Sequence, residues 1–254
     1  MGRHSGKVAV CAGSATGMGA ETAFRLAQEG AKVVVGDINI VAAEALIERI
    51  RTAGGEAVAK EFDIGDEGSV GALFDAAASA YGGVDLMHCN AADLGVVRRD
   101  YDALKVDLEV FDQSLKVGLR GHLLCTRAAI PLMLKRGRGA IVYTSSDASK
   151  SNAPGLVSYY VLKAGLNGLM RHVATRWGPK GVRANAICPG VVLTETVMRN
   201  MSDEAREAGR KSTPSPRLGK VEDIAALVAF LLADEAEWIN GQAISINGGA
   251  VMGI

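Results

Sequence analysis

The sequence predicts an α/β fold, a doubly wound parallel sheet of about seven strands with helices on both faces. Three observations carry that expectation. Short β-branched runs alternate with longer Ala- and Leu-rich stretches, a glycine-rich turn joins the first run to the first helical stretch, and no repeat, low-complexity tract or linker interrupts the 254 residues. One domain over 1–254 is therefore the simplest reading. In order, the runs at 8–11, 32–35, 57–62, 84–89, 140–144, 182–187 and 243–246 read as parallel strands, because a strand covered on both faces is apolar throughout rather than alternating. Between them, 18–29, 40–53, 67–80, 108–135, 157–177 and 221–233 carry helical spacing. The least regular stretch is 191–219, with Met198, Met201, Lys211, Pro214 and Pro216, and it reads either as an excursion that covers a ligand or as a plain surface excursion.

Composition narrows the partners. Lys+Arg and Asp+Glu are equal at 28 each, so no global charge argues for nucleic acid or an anionic membrane. Cys11, Cys89, Cys125 and Cys188 are scattered in apolar runs without the paired spacing of a zinc or redox site, and they read as reduced core cysteines with no metal. The start, Met1 to Gly6, leads into the first strand without a signal-like apolar region, and no segment is long and apolar enough to span a bilayer. The expected location is the cytoplasm, and the expected partner a small molecule.

The turn Ala12-Gly13-Ser14-Ala15-Thr16-Gly17-Met18-Gly19 lies where a strand meets a helix. Glycines there let the backbone approach a pyrophosphate, and the free N–H groups and dipole of the helix start attract the anion. Eighteen residues after Gly19 the second strand ends in Asp37, whose carboxylate can accept from a ribose 2'-hydroxyl and would repel a 2'-phosphate. With Ile38 next and no basic residue in the turn, NAD is expected over NADP. The competing reading is that Asp37 only starts a turn before Asn39.

Tyr159 and Lys163 stand four residues apart, on one face of a helix, with Ser146 thirteen residues upstream of Tyr159. An ammonium beside a phenol favours phenolate and lowers a pKa that is otherwise about 10, which makes tyrosine an acid or base near neutral pH. Tyr160 is the rival phenol.

These motifs resemble, in order and over nearly the whole chain, the short-chain dehydrogenase/reductase family in its compact single-domain, Rossmann-type branch. The turn at Gly13, Gly17 and Gly19, with Thr16 and Met18 beside them, is similar to that family's cofactor loop, with Ala12 where Thr is commoner. Phe62-Asp63-Ile64 resembles the adenine-contacting segment, which implies that the Asp63 carboxylate and Ile64 backbone face adenine. Cys89-Asn90-Ala91-Ala92 matches the Asn-Asn-Ala-Gly segment only at Asn90 and Ala91. Ile187 to Gly190 and Thr194 resemble the Pro-Gly turn and nicotinamide-facing Thr, so the Val192 backbone and Thr194 hydroxyl would hold the carboxamide. Asn240-Gly241-Gln242 and Asn247-Gly248-Gly249 resemble the last strand. The resemblance implies that Tyr159 is the general acid or base, that Lys163 lowers its pKa and binds the ribose, and that Ser146 hydrogen-bonds the substrate oxygen, with Ser145 pointing the other way. It also implies a homotetramer built on the long helices, around Leu123, Leu124, Ala128 and Leu132, and on the tail from Trp238 to Ile254.

A further departure from the family lies in the long helix. The family's asparagine there is matched by Gly118, which keeps a main-chain carbonyl and tolerates a break in the helix. His122, one turn on, reads as a packing residue. Asp93, Leu94, Asp147, Ser149, Asn152 and the stretch from Thr196 to Met201 are expected near the substrate, with Arg98 and Arg99 either binding an anion or solvated. The expected activity is NAD-dependent hydride transfer with a secondary alcohol or its ketone. The alternatives are a 3-oxoacyl thioester reductase, which suits NADPH better, and a catalytically silent dinucleotide-binding sensor or interaction protein.

Overall fold

Alternation along β1 (Val8–Ala12) serves two cores at once. Val8, Val10 and Ala12 point into one and Ala9 and Cys11 into the other, all five fully or nearly fully buried. The computed structural model describes residues 2–151 and 154–252. From β1 the chain runs through α1 (Gly17–Gln28), β2 (Lys32–Asp37), α2 (Ile40–Thr52), β3 (Glu56–Glu61), α3 (Glu67–Tyr81) and β4 (Leu86–Cys89). It continues through α4 (Leu94–Val97), α5 (Leu108–Leu115), α6 (Gly121–Lys135), β5 (Gly139–Thr144), α7 (Val157–Trp177) and β6 (Val182–Pro189). Then come β7 (Val192–Leu193), α8 (Glu195–Asn200), α9 (Asp203–Lys211), β8 (Gly219–Lys220), α10 (Val221–Leu232) and β9 (Ala243–Ile246).

The seven-stranded sheet has the order β3-β2-β1-β4-β5-β6-β9, every neighbouring pair parallel. One face is covered by α3, α6 and α7, through Leu73, Phe74, Leu124, Met133, Met170 and Val173. The other is covered by α1, α2 and α10, through Leu26, Leu46, Ile47, Ile50, Val228 and Leu232. This is the doubly wound Rossmann-type sheet. The strand order reverses between β1 and β4, so the connections leaving those two strands diverge and open a crevice at their carboxyl ends. Beneath it, the Asp85 carboxylate accepts from the Val8 N–H (2.8 Å) and from Arg136 Nε and Nη2 (3.0 and 3.2 Å), tying β1, β4 and the end of α6 together.

Two stretches differ from the sequence expectation. Residues 191–219 are mostly ordered into β7, α8, α9 and β8 rather than irregular. Their helices are short and polar, so apolar periodicity does not reveal them; caps do, with Thr194 Oγ1 accepting from Val197 N–H and Ser202 Oγ from Ala205 N–H (3.2 Å each). The long helix expected at 108–135 is broken by a π-helical turn, Lys116–Arg120, that joins α5 to α6 and is centred on Gly118. All four cysteines are free and buried, as expected. Among the described residues, no helix is long and apolar enough to cross a membrane.

Candidate active site

Four neighbouring strands, β1, β4, β5 and β6, deliver the glycine turn, Asn90, Ser146 and the Val192-Thr194 segment to one edge of the sheet. Strands lie about 4.8 Å apart, so this edge is about 14 Å wide, on the scale of an extended dinucleotide half. Gly13 adopts φ +74°, and a Cβ there would lie 2.4 to 2.6 Å from the backbone and side chain of Ala91, so only glycine fits. The Asn90 side chain locks the same turn, donating from Nδ2 to Gly13 O (2.8 Å). Thr16, at the N-cap of α1, makes no capping hydrogen bond, which leaves the positive end of that helix open beside Gly17, Met18 and Gly19. The buried Asn90 Oδ1 also has no protein partner. An uncapped helix start on a glycine turn, next to an orphaned buried acceptor, fits the phosphates and ribose of a dinucleotide.

Asp37 does two things. Its Oδ2 accepts from Ala15 N–H (2.9 Å), bracing the glycine turn, and its Oδ1 accepts from Asn39 N–H (3.0 Å), so the turn-starting reading holds as well. Each carboxylate oxygen keeps a further lone pair for a ribose hydroxyl. Asp63 is exposed, with Oδ1 accepting from Gly65 N–H (2.8 Å), whereas Ile64 is buried. Val192 is buried in β7, and the Thr194 methyl would sit 3.4 Å from a Cβ on Gly17, which brings the segment after β6 against the glycine turn. Since Thr194 Oγ1 accepts from Val197 N–H, its own hydrogen is free to donate.

The three expected catalytic side chains converge between the end of β5 and the first turns of α7. Ser146 caps a short turn of 3-10 helix, Asp147–Ser149, with Oγ accepting from Ala148 N–H (3.2 Å). Its hydroxyl acts on Tyr159, offsetting part of the rise that burial gives the phenol. Ser145 points the other way and donates to Lys163 O (3.1 Å). Ser149 donates to Ser146 O (2.6 Å) and accepts from Asn167 Nδ2 (2.8 Å), so a residue on α7 steadies the serine turn. Lys163 lies beside the Tyr159 ring as its spacing implies, but the phenol's pKa is raised rather than lowered. The ammonium is buried, donates to Thr144 O (2.7 Å) and lies 5.6 Å from the centre of the Tyr159 ring. Burial pushes the Tyr159 pKa up, the Ser146 hydrogen bond offsets part of that, and Tyr160 adds to the rise. Burial also lowers Lys163 to about 8, against smaller opposing effects of Cys89 and Cys188.

Gly118 lies buried in the π-helical turn, packed against α7. A Cβ there would meet Leu162 Cδ2 at 2.9 Å and Cδ1 at 3.0 Å, so Leu162 fills the space that a larger residue would need. His122 is fully buried beside Tyr143, ring centres 6.3 Å apart, and burial, then the nearby Lys163, lowers it to about 3. It is a neutral packing residue, as its sequence setting suggested. Asp147 is buried next to Ser146, with burial raising its pKa. Leu94, Arg98 and Arg99 are exposed, and Asn152 lies outside the described residues. Sequence reasoning missed Asp100, which is buried and bonded to Tyr159; nothing near it in the chain signals a partner 59 residues away.

A family model described as enoyl-(acyl carrier protein) reductase matches residues 12–251. A probable short-chain type dehydrogenase/reductase of Bradyrhizobium diazoefficiens is 43% identical over 249 residues, 98% of this chain and 89% of the relative. A solved 7α-hydroxysteroid dehydrogenase, complexed with NADH and 7-oxo glycochenodeoxycholic acid, superposes with a TM-score of 0.92 at 32% identity, covering 99% of this chain and 96% of that one. Levodione reductase superposes with a TM-score of 0.91 at 30% identity, covering 96% and 97%.

Proposed function

The chain belongs to the short-chain dehydrogenase/reductase family, and we propose that within it this protein is an NAD-dependent oxidoreductase acting on a secondary alcohol or its ketone. The observation that carries the reading is the meeting of Ser146, at the end of β5, with Tyr159 and the buried Lys163 one turn later on α7, whose ammonium lies 5.6 Å from the Tyr159 ring centre, on the sheet edge that also holds the glycine turn. The nicotinamide dinucleotide, when bound, supplies or accepts the hydride. Gly13, Thr16, Gly17, Met18 and Gly19 would receive its phosphates, Asp37 its adenosine ribose, Asp63 and Ile64 its adenine, Asn90 the centre of the crevice, and Val192 and Thr194 its carboxamide end.

The chain's own chemistry is proton transfer and orientation. In reduction Tyr159 gives its phenolic proton to the substrate oxygen, and in oxidation it takes that proton back. Ser146 donates to the same oxygen and fixes its place, so charge developing there meets two preorganised donors. Lys163, anchored on Thr144 O, keeps two further N–H donors for the ribose and a positive charge over the phenol ring. Burial raises the phenol pKa, so Tyr159 carries the proton that reduction needs, and the positive charge of Lys163 beside the ring favours its release.

Asp37 supports NAD over NADP because a second anion beside its carboxylate would be repelled. Two structural neighbours support a ketone or alcohol substrate, one complexed with a 7-oxo compound and NADH, the other a reductase of levodione by name. A surface groove of about 560 Å³ on the long helices, lined by Leu115, Leu119, Leu123 and Leu169, supports assembly into a homotetramer. We read 1–254 as one cytoplasmic oxidoreductase domain whose 191–219 segment covers the substrate.

A panel of cyclic and acyclic secondary alcohols with NAD tests the reading. Tyr159→Phe removes the transferable proton and should lower turnover by about 10²- to 10⁴-fold with NADH affinity preserved. Equal turnover in the two proteins would sink the role of Tyr159, and intact NADH binding with no turnover on any alcohol would favour the silent binding protein.

A further inference from the structure

The helix that carries Tyr159 and Lys163 has no cap of its own. Its N-cap position is Leu156, an apolar residue held at φ +63°, a region that non-glycine residues rarely enter. Its first donors are met from elsewhere in the chain. Val157 N–H donates to Tyr101 O (3.0 Å). Ser158 N–H and Oγ–H both donate to Asp100 Oδ1 (3.3 and 2.9 Å), and Tyr159 N–H donates to Asp100 Oδ2 (2.9 Å). Asp100 is 6% exposed, and both of its oxygens are committed at the first turn of α7, where the helix dipole favours an anion.

The segment bearing Asp100 begins at the cofactor crevice. It leaves β4 through Asn90, whose side chain holds the Gly13 carbonyl, passes through α4 under its Asp93 cap, and reaches α7 at Asp100 and Tyr101. One end is fixed to the glycine turn and the other to the helix of Tyr159.

We propose that Asp100 is a positioning residue for Tyr159, capping the helix from outside and setting the phenol's place relative to Ser146 and the cofactor crevice. The proposal rests on the acid/base role of Tyr159. A left-handed Leu156 persists only where its surroundings over-determine it, and the bonds from Tyr101 and Asp100 to the next three residues do that. Without them the first turn of α7 frays, and Tyr159 moves towards water.

The test labels tyrosine at Cζ with ¹³C. The five tyrosines give a spectrum simple enough to titrate, and Tyr159→Phe identifies the Tyr159 signal. In Asp100→Ala the Tyr159 midpoint should fall towards that of a free tyrosine while NADH affinity, read by fluorescence, stays within about twofold. Asp100→Asn keeps an acceptor for one of the donors and should lie between the two. NADH-dependent reduction of cyclohexanone, where it is turned over, should lose kcat by about tenfold or more in Asp100→Ala, with KM for NADH unchanged. An unmoved Tyr159 midpoint in both variants overturns the proposal, as does a parallel collapse of NADH affinity, which marks a general structural role. If Asp100→Ala does not fold, Asp100→Asn decides: a lowered midpoint supports the proposal and an unmoved one refutes it. If Tyr159→Phe turns over like wild type while the midpoint still falls in Asp100→Ala, the catalytic reading fails and the positional one stands.

Discussion

Restoring the family's asparagine at Gly118 should destabilise this protein rather than improve it. A Cβ at 118 lies 2.9 and 3.0 Å from the two Leu162 methyls and 3.4 Å from its Cγ, where carbon atoms prefer about 3.5 to 4.0 Å. Leu162 is itself 4% exposed and has little room to move. Overpacking of this kind costs about 1–3 kcal/mol, and replacing glycine by asparagine in a helix returns only about 0.3 kcal/mol. The net loss of about 1–2.5 kcal/mol corresponds to a fall in Tm of about 2–10 °C for a chain of this size. The cause is testable in a double-mutant cycle. Leu162→Ala alone should cost about 2–5 kcal/mol, but in the Gly118→Asn background its cost should shrink by about 1 kcal/mol or more, because the new side chain then has space. Urea unfolding of the four proteins measures all three quantities. A Gly118→Asn protein with wild-type stability and an additive double mutant would refute the steric reasoning. Turnover should follow, since Leu162 precedes Lys163 on α7, and displacing it disturbs the ammonium; a gain in kcat for Gly118→Asn would contradict this.

Two further outcomes follow from the site. Lys163 is held at about 8 instead of its ordinary 10.5 because burial disfavours the charge, so between those values the unfolded chain binds a proton that the folded chain has released. Stability contributed by this residue therefore rises from about pH 8 to about pH 10.5 and is lost as pH falls back to 8, and the urea midpoint of wild type minus that of Lys163→Met should become more positive over that window; a constant difference would contradict the burial argument. Asp37→Ala removes the carboxylate that would repel a 2'-phosphate and should shift the ratio of kcat/KM for NADP over NAD upward by about tenfold, whereas an unaltered ratio would show that Asp37 only braces Ala15 and Asn39.

What was legible in the sequence depended on how local its cause was. The strand runs were legible because a parallel strand covered on both faces shows its burial in every residue, and five buried positions in a row from Val8 to Ala12 are that pattern. The glycine turn was legible because a positive φ at Gly13 restricts the residue type directly. The helices of 191–219 were hidden because short polar helices carry no apolar stripe. Asp100 was hidden for a different reason: it acts across 59 residues, and an aspartate in a loop looks the same whether it caps a distant helix or faces water.

The Lys163 and Tyr159 pair shows the limit of spacing as an argument. Two residues four apart share a helix face, but where their polar ends go is settled by acceptors that the spacing does not contain. A buried ammonium needs partners for its donors, and the Thr144 carbonyl at 2.7 Å is a fixed, well-directed one. The ammonium lies 5.6 Å from the centre of the Tyr159 ring, and Ser146 offsets part of the rise that burial gives the phenol. Burial of both groups then raises the phenol and lowers the ammonium, which reverses their ordinary order and drives the two pKa values apart, the phenol above its usual value and the ammonium at about 8. In this arrangement the proton on Tyr159 is held by burial and aimed by Ser146. The exactness of that aim rests on what fixes the first turn of α7, and there the structure puts Asp100.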